Sequence, residues 1–199
     1  MLIDHRLSNV SKIGNCNLVG KDAFFKKVSI DTRSISKGDI FLALSGPNYD
    51  GHDFIDEALE KGASCIITEK TIPSTTHIKT DNCFLFLEKL AYFQRSNFKK
   101  IIISITGSNG KTSTKEILYQ LTRELFENKE EVFKSPGNWN NRLGLYLSLL
   151  GIDNSHKLAI FEIGTNAIGE IKELASFLKP NIGVITHIGN SHLEGLKNI

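Results

Sequence analysis

Ile101-Ile102-Ile103-Ser104-Ile105-Thr106-Gly107-Ser108-Asn109-Gly110-Lys111-Thr112 decides how the rest of the chain is read. Its β-branched run has the composition of a strand buried on both faces. The run stops at a glycine-containing turn that ends in Lys111-Thr112. A helix is predicted beyond, where Ile117, Leu118, Leu121 and Leu125 recur at helical spacing with Lys115, Glu116, Arg123 and Glu124 between them. Strand, glycine loop and helix in that order form the setting in which such a motif reads as a phosphate site.

Each residue type has its own reason to be there. Gly107 and Gly110 lack a Cβ, so the backbone is free to take positive φ and to turn successive N–H groups into one concavity sized for phosphate oxygens. Thr106, Ser108, Asn109 and Ser113 complete the stretch around that concavity, and the helix start adds the positive end of its dipole. Lys111 offers a compact cation for the β- and γ-phosphates and is the candidate catalytic residue. The Thr112 hydroxyl is placed to ligate the magnesium that travels with a nucleoside triphosphate such as ATP. The common P-loop spacing, G-x-x-x-x-G-K-[ST], needs glycine at position 105, where this chain has Ile105; the loop is a shortened variant.

The 199 residues allow one large domain or two small ones. A net charge of +2 with scattered lysines gives no electrostatic case for nucleic acid or an anionic membrane. No apolar run reaches bilayer length, and the first ten residues lack a signal-like core, so a cytoplasmic protein is expected. Cys16, Cys65 and Cys83 are odd in number without metal-type spacing, and buried reduced thiols are expected.

The first 98 residues read as a small α/β unit. Strands are predicted at Val28 to Ile30, Ile40 to Leu44, Ser64 to Thr68 and Cys83 to Leu87. Helices are predicted from Phe54 to an end at Lys61-Gly62 and over Glu88 to Asn97, with a loop from Thr71 to Thr80. Asp31-Thr32-Arg33 and Asp50-Gly51-His52 fall in the turns; by chemistry alone they are ordinary turn residues with solvated side chains. Residues 99–199 read as the phosphate-binding unit with a mostly parallel sheet. Pro136-Gly137-Asn138-Trp139-Asn140-Asn141 precedes a helix rich in leucine, where asparagine is a natural cap. In Leu158-Ala159-Ile160-Phe161-Glu162 an acid follows four apolar residues at a strand end. Glu162 is therefore either a magnesium ligand or a carboxylate paired with a buried base. A third apolar strand, Asn181 to Thr186, leads to His187 and His192, which chemistry alone leaves undecided.

These stretches together resemble the Mur ligases, and the loop also resembles the related folylpolyglutamate synthetases, enzymes that form amide bonds by way of acyl phosphates. The likeness covers essentially the whole chain. It implies that Thr32 and Arg33 lie near a uridine diphosphate and that Asp50, Gly51 and His52 line the same cleft. Asn138, Asn140 and Asn141 resemble the Gly-Asn-x-Asn-Asn signature of the branch that joins D-alanyl-D-alanine to UDP-N-acetylmuramoyl-tripeptide, and become substrate-side candidates. The loop Ile188-Gly189-Asn190-Ser191-His192-Leu193-Glu194 matches a family loop whose histidine binds a second magnesium. The implied metal ligands are thus Thr112, Glu162 and His192, while His187 stands where the family usually has asparagine and receives no role. The resemblance places a carbamylated lysine and a third domain beyond Ile199. A sister ligase, a folylpolyglutamate synthetase, or a nucleotide-binding piece without catalysis of its own are the alternatives. A monomer is expected.

Overall fold

The computed structural model describes residue 2 and residues 4–189. Two compact units share the chain, one running to Phe93 and the other from Gln94 onward.

The first unit opens with helix α1 (Leu7–Gly14) and strands β1 (Asn17–Val19), β2 (Val28–Ser29) and β3 (Ile40–Leu42). A small hairpin follows, β4 (Ser45–Gly46) with β5 (Tyr49–Asp50), then α2 (Ile55–Glu60), β6 (Cys65–Thr68), β7 (His77–Lys79) and α3 (Cys83–Asn97), whose last turn enters the second unit. The sheet order is β1-β7-β6-β3-β2, parallel except where β1 meets β7. Phe41, Ala43 and Ile66 pack with Ile35, Ile55 and Ala58 over one face.

Two expectations fail here. Cys83 to Leu87 is not a strand but the first turn and more of α3: Cys83, Phe86, Leu87, Leu90 and Ala91 are buried at helical spacing, and the Asn82 side chain accepts the Leu85 N–H at 2.8 Å. A five-residue apolar run carries no periodicity that separates strand from helix. The expected loop from Thr71 to Thr80 contains β7, which β6 and β1 bracket on both sides. Cys65 and Cys83 are buried free thiols, each pushed up to about 12 by burial, whereas Cys16 is only half-buried.

The second unit holds β8 (Ile101–Thr106), α4 (Lys111–Arg123), β9 (Val132–Lys134), α5 (Arg142–Leu150), β10 (Leu158–Glu162), α6 (Glu170–Leu178) and β11 (Ile182–Ile185). Its sheet is fully parallel in the order β11-β8-β10-β9. Ile105 pairs with Glu162 and Thr106 with Ile185, so the loops after β8, β10 and β11 emerge at one edge, where parallel sheets gather their ligand sites.

The orientation of α4 overturns a further expectation. Ile117, Leu121 and Leu125 are 61, 64 and 80% exposed. The sheet instead receives Leu118 and Tyr119, with Lys115 and Thr122 buried beside them. Both stripes have helical spacing, so periodicity cannot choose between them. The rotation of the helix follows from its first turn, which must continue the glycine loop, and from an ion pair that takes Lys115 inward.

Candidate active site

The loop leaving β8 is held from two sides. Gly107 adopts φ +138° and Gly110 φ +78°, both in the left-handed region. A Cβ on Gly107 would come within 2.2 Å of the Thr186 hydroxyl and 2.9 Å of the His187 carbonyl, so glycine is required there by space as well as by conformation. Thr186 donates its hydroxyl to the Asn109 carbonyl at 2.5 Å, and the Ser108 N–H donates to the His187 carbonyl at 2.8 Å. The Ser108 N–H is thereby engaged by protein. The N–H groups that lack an acceptor by helix geometry are those of the first turn of α4, beginning with Lys111, Thr112 and Ser113. The Lys111 ammonium lies back over the loop, 2.7 Å from the Gly107 carbonyl.

Glu162, at the end of β10, is the hub. Its Oε2 accepts from the Thr112 hydroxyl at 2.7 Å and its Oε1 from the Asn140 amide at 2.8 Å, while its backbone N–H donates to Ser135 Oγ at 3.2 Å. The Lys115 ammonium stands 3.8 Å from Oε2, and both side chains are sealed from solvent, at 0% and 1% exposure. Lys115 also donates to the Gly137 carbonyl. Of the two sequence readings of Glu162, the pairing with a buried base is the one seen here, and the same carboxylate touches Thr112, the other metal-ligand candidate. By sequence, Lys115 stands between the apolar positions of its helix and receives no role. Spacing from Lys111 by one helical turn is the only sequence signal that would have placed it on the loop's side.

The asparagines divide their work. Asn140 holds Glu162 and receives the Gly164 N–H on its carbonyl at 2.7 Å; a Cβ on Gly164 would meet the Asn140 side chain at 2.8 Å. Asn141 caps α5 by accepting from the Gly144 N–H at 2.8 Å, and Asn138 is exposed. A cavity of about 80 Å³ brings Lys111, Asn140 and Asn141 together with Gly164, Thr165, Asn166 and Glu170. The last four were not among the sequence-derived candidates. Glu170 accepts from the Asn166 and Ala167 N–H groups at 2.6 and 3.1 Å, which hold its carboxyl below the usual range and fix that loop. His192 lies outside the described residues.

In the first unit a wider cavity, about 480 Å³, is lined by Asp31, Thr32, Arg33, Tyr49, Gly51 and Phe54 among others. Asp31 caps the turn by accepting the Arg33 N–H at 2.9 Å, and its carboxylate also grips the Arg33 guanidinium at 2.7 to 3.1 Å. That guanidinium holds the Asp31 carboxyl below its ordinary value. Thr32 is buried and Gly51 forms part of the wall, but Asp50 and His52 point into a separate network. His52 Nε2 accepts the Glu69 N–H at 3.1 Å, so the proton sits on Nδ1, 2.6 Å from Asp50 Oδ1. Ser45 donates to the same carboxylate oxygen at 2.7 Å. The pair thus fastens the hairpin turn to β6, with the ring itself only 2% exposed.

No helix among the described residues is long and apolar enough to cross a membrane. A family model for the Mur ligase middle domain matches residues 105–199, and one for the catalytic domain of the Mur ligase family matches residues 25–92. The UDP-N-acetylmuramoyl-tripeptide–D-alanyl-D-alanine ligase of Rickettsia prowazekii is 43% identical over 188 residues, 93% of this chain and 39% of the relative. Among solved structures, a UDP-N-acetylmuramoylalanyl-D-glutamyl-2,6-diaminopimelate–D-alanyl-D-alanyl ligase from Acinetobacter baumannii superposes with a TM-score of 0.81 at 29% identity, covering 94% of this chain and 42% of that one. The MurF ligase of Thermotoga maritima, solved in complex with ADP, gives 0.71 at 37% identity, covering 84% of this chain and 39% of the other. The chain thus spans about two fifths of the length of the relatives it matches.

Proposed function

The chain belongs to the Mur ligase family, and on that premise we propose that it forms the uridine-nucleotide part (1–98) and an ATP-binding part (99–199) of a ligase joining D-alanyl-D-alanine to UDP-N-acetylmuramoyl-tripeptide, in peptidoglycan precursor synthesis. One observation carries the reading: Glu162 is bonded on one oxygen to Thr112 of the phosphate loop and on the other to Asn140 of the asparagine turn. A nucleotide feature and a substrate-side feature thereby share one carboxylate. The named activity of the Rickettsia relative supports the D-alanyl-D-alanine branch, and the ADP in the Thermotoga structure supports ATP as phosphoryl donor.

Thr112 and Glu162 present two hard oxygen donors side by side, which fits magnesium, with His192 as a further ligand. Magnesium bound there would neutralise charge on the phosphates. Around it, the first turn of α4 binds phosphate oxygens through N–H groups, and Lys111 swings from the Gly107 carbonyl to the β- and γ-phosphates. The terminal carboxylate of the tripeptide takes the γ-phosphoryl group, giving an acyl phosphate and ADP. The amine of D-alanyl-D-alanine then attacks the acyl carbon and inorganic phosphate leaves. Little covalent work falls to the protein; its part is positioning and electrostatic stabilisation. Thr32, Arg33 and the wall at Gly51 receive the uridine diphosphate, while Asp50 and His52 act on that cleft through the turn they fasten. Asn138 and Asn141 face the substrate side. The protein works in the cytoplasm as a monomer.

In the full-length gene product, phosphate release should require ATP, the UDP-tripeptide and D-alanyl-D-alanine together. Activity with a single amino acid in place of the dipeptide would move the assignment to a sister ligase. Lys111→Ala should lower turnover by on the order of 10²-fold or more while leaving UDP-substrate affinity in place. Unchanged turnover would refute the phosphate-loop reading.

A further inference from the structure

The Lys115–Glu162 pair has a property that ligation alone does not explain. A carboxylate meant to receive a cation is sealed in the interior beside a full positive charge, 3.8 Å away. That distance is a charge contact rather than a hydrogen bond, so Oε2 accepts from Thr112 and Oε1 from Asn140. The ammonium finds its hydrogen-bond acceptor in the Gly137 carbonyl. The other charges nearby cancel one another: Glu116 lies 3.7 Å from Lys115 but is itself paired with Lys134. Lys115 is therefore the counter-charge of Glu162.

Building on the nucleotide-site reading above, we infer that Lys115 is a positioning residue acting as the resident counter-ion of Glu162, so that the site does not hold a divalent cation until a nucleotide brings one. Buried alone, an ionised Glu162 would be costly and would draw any available cation. With Lys115 beside it the pair is neutral, and an incoming dication meets repulsion from the ammonium in a low-dielectric setting. The phosphates of a nucleotide reverse that balance, because their negative charge outweighs Lys115. Metal entry becomes contingent on nucleotide, and the loop tied through Gly137 is already in place when it arrives.

The test is Mn²⁺ titration of the 199-residue chain without nucleotide, with free Mn²⁺ read by electron paramagnetic resonance, alongside calorimetric binding of Mn²⁺-ADP. Lys115→Gln removes the charge and keeps a donor for Gly137; Lys115→Met is the second variant. The wild-type chain should leave sub-millimolar Mn²⁺ free. Lys115→Gln should gain a site at least about tenfold tighter, which is lost again in Lys115→Gln/Glu162→Gln. A merely structural lysine would not produce a gain of metal affinity. A Lys115 variant that melts cooperatively, binds Mn²⁺-ADP and gains no Mn²⁺ site overturns the inference. So does a wild-type chain that holds Mn²⁺ without nucleotide and loses it in Glu162→Gln, an arm that needs no Lys115 variant to fold. Failure of the wild type to bind Mn²⁺-ADP at all would sink the nucleotide-site reading instead.

Discussion

Asp50 and Glu162 are built from the same kinds of parts and differ in what surrounds them. Each carboxylate receives a hydroxyl at 2.7 Å, from Ser45 or Thr112, and a nitrogen donor at 2.6 or 2.8 Å, from His52 or Asn140. A lysine stands by each, Lys70 at 3.3 Å and Lys115 at 3.8 Å. Asp50 is 38% exposed and Lys70 61%, whereas Glu162 and Lys115 are sealed. Water can replace any lost partner of Asp50. Glu162 has almost no contact with water, so there every partner counts. The first network fastens a turn; the second stores a charge where the proposed chemistry needs one.

The contrast is broken most severely by Glu162→Ala. It leaves the Lys115 ammonium buried without its counter-charge, and the second unit should lose about 3–5 kcal/mol of stability in denaturant titration. The equivalent truncation at Asp50 should fall well short of that in the first unit. Next comes Gly107→Ala, which forces a side chain into positive φ and against Thr186 and His187. A loss of about 1–3 kcal/mol is expected, together with weakened nucleotide binding in calorimetry.

Acid sharpens the comparison. The His52 N–H groups and the Ser45 hydroxyl hold the Asp50 carboxyl well below the usual carboxylate range. A depressed folded value means that its contribution is fully present above the unfolded value of about 3.9 and is lost as pH falls through the lower folded one. The stability gap between wild type and Asp50→Asn should be constant near neutrality and should close only below about pH 4. A gap already closed at about pH 5 would overturn the depressed Asp50 value. The smallest effect is expected from Lys70→Met, which removes a screened surface partner and should leave the melting temperature unchanged within measurement error.

The sequence by itself determined the order of elements around β8, the shortened phosphate loop and the acid at the end of β10, because glycine, proline, β-branched runs and an isolated carboxylate each act locally on the backbone or carry a burial penalty readable from composition. The extra strand β7 and the helical start of α3 were not legible, since segments of three to five residues take their state from what they pack against. Only the tertiary structure decided which face of α4 turns inward: two stripes of equal spacing compete, and a lysine rather than three aliphatic residues goes inside because Glu162, 47 positions away in sequence at the end of a neighbouring strand, offers its charge. Sequence periodicity measures distance along one helix. The energy of a buried ion pair depends on distance through space, and only the parallel register of β8 with β10 brings those two groups together.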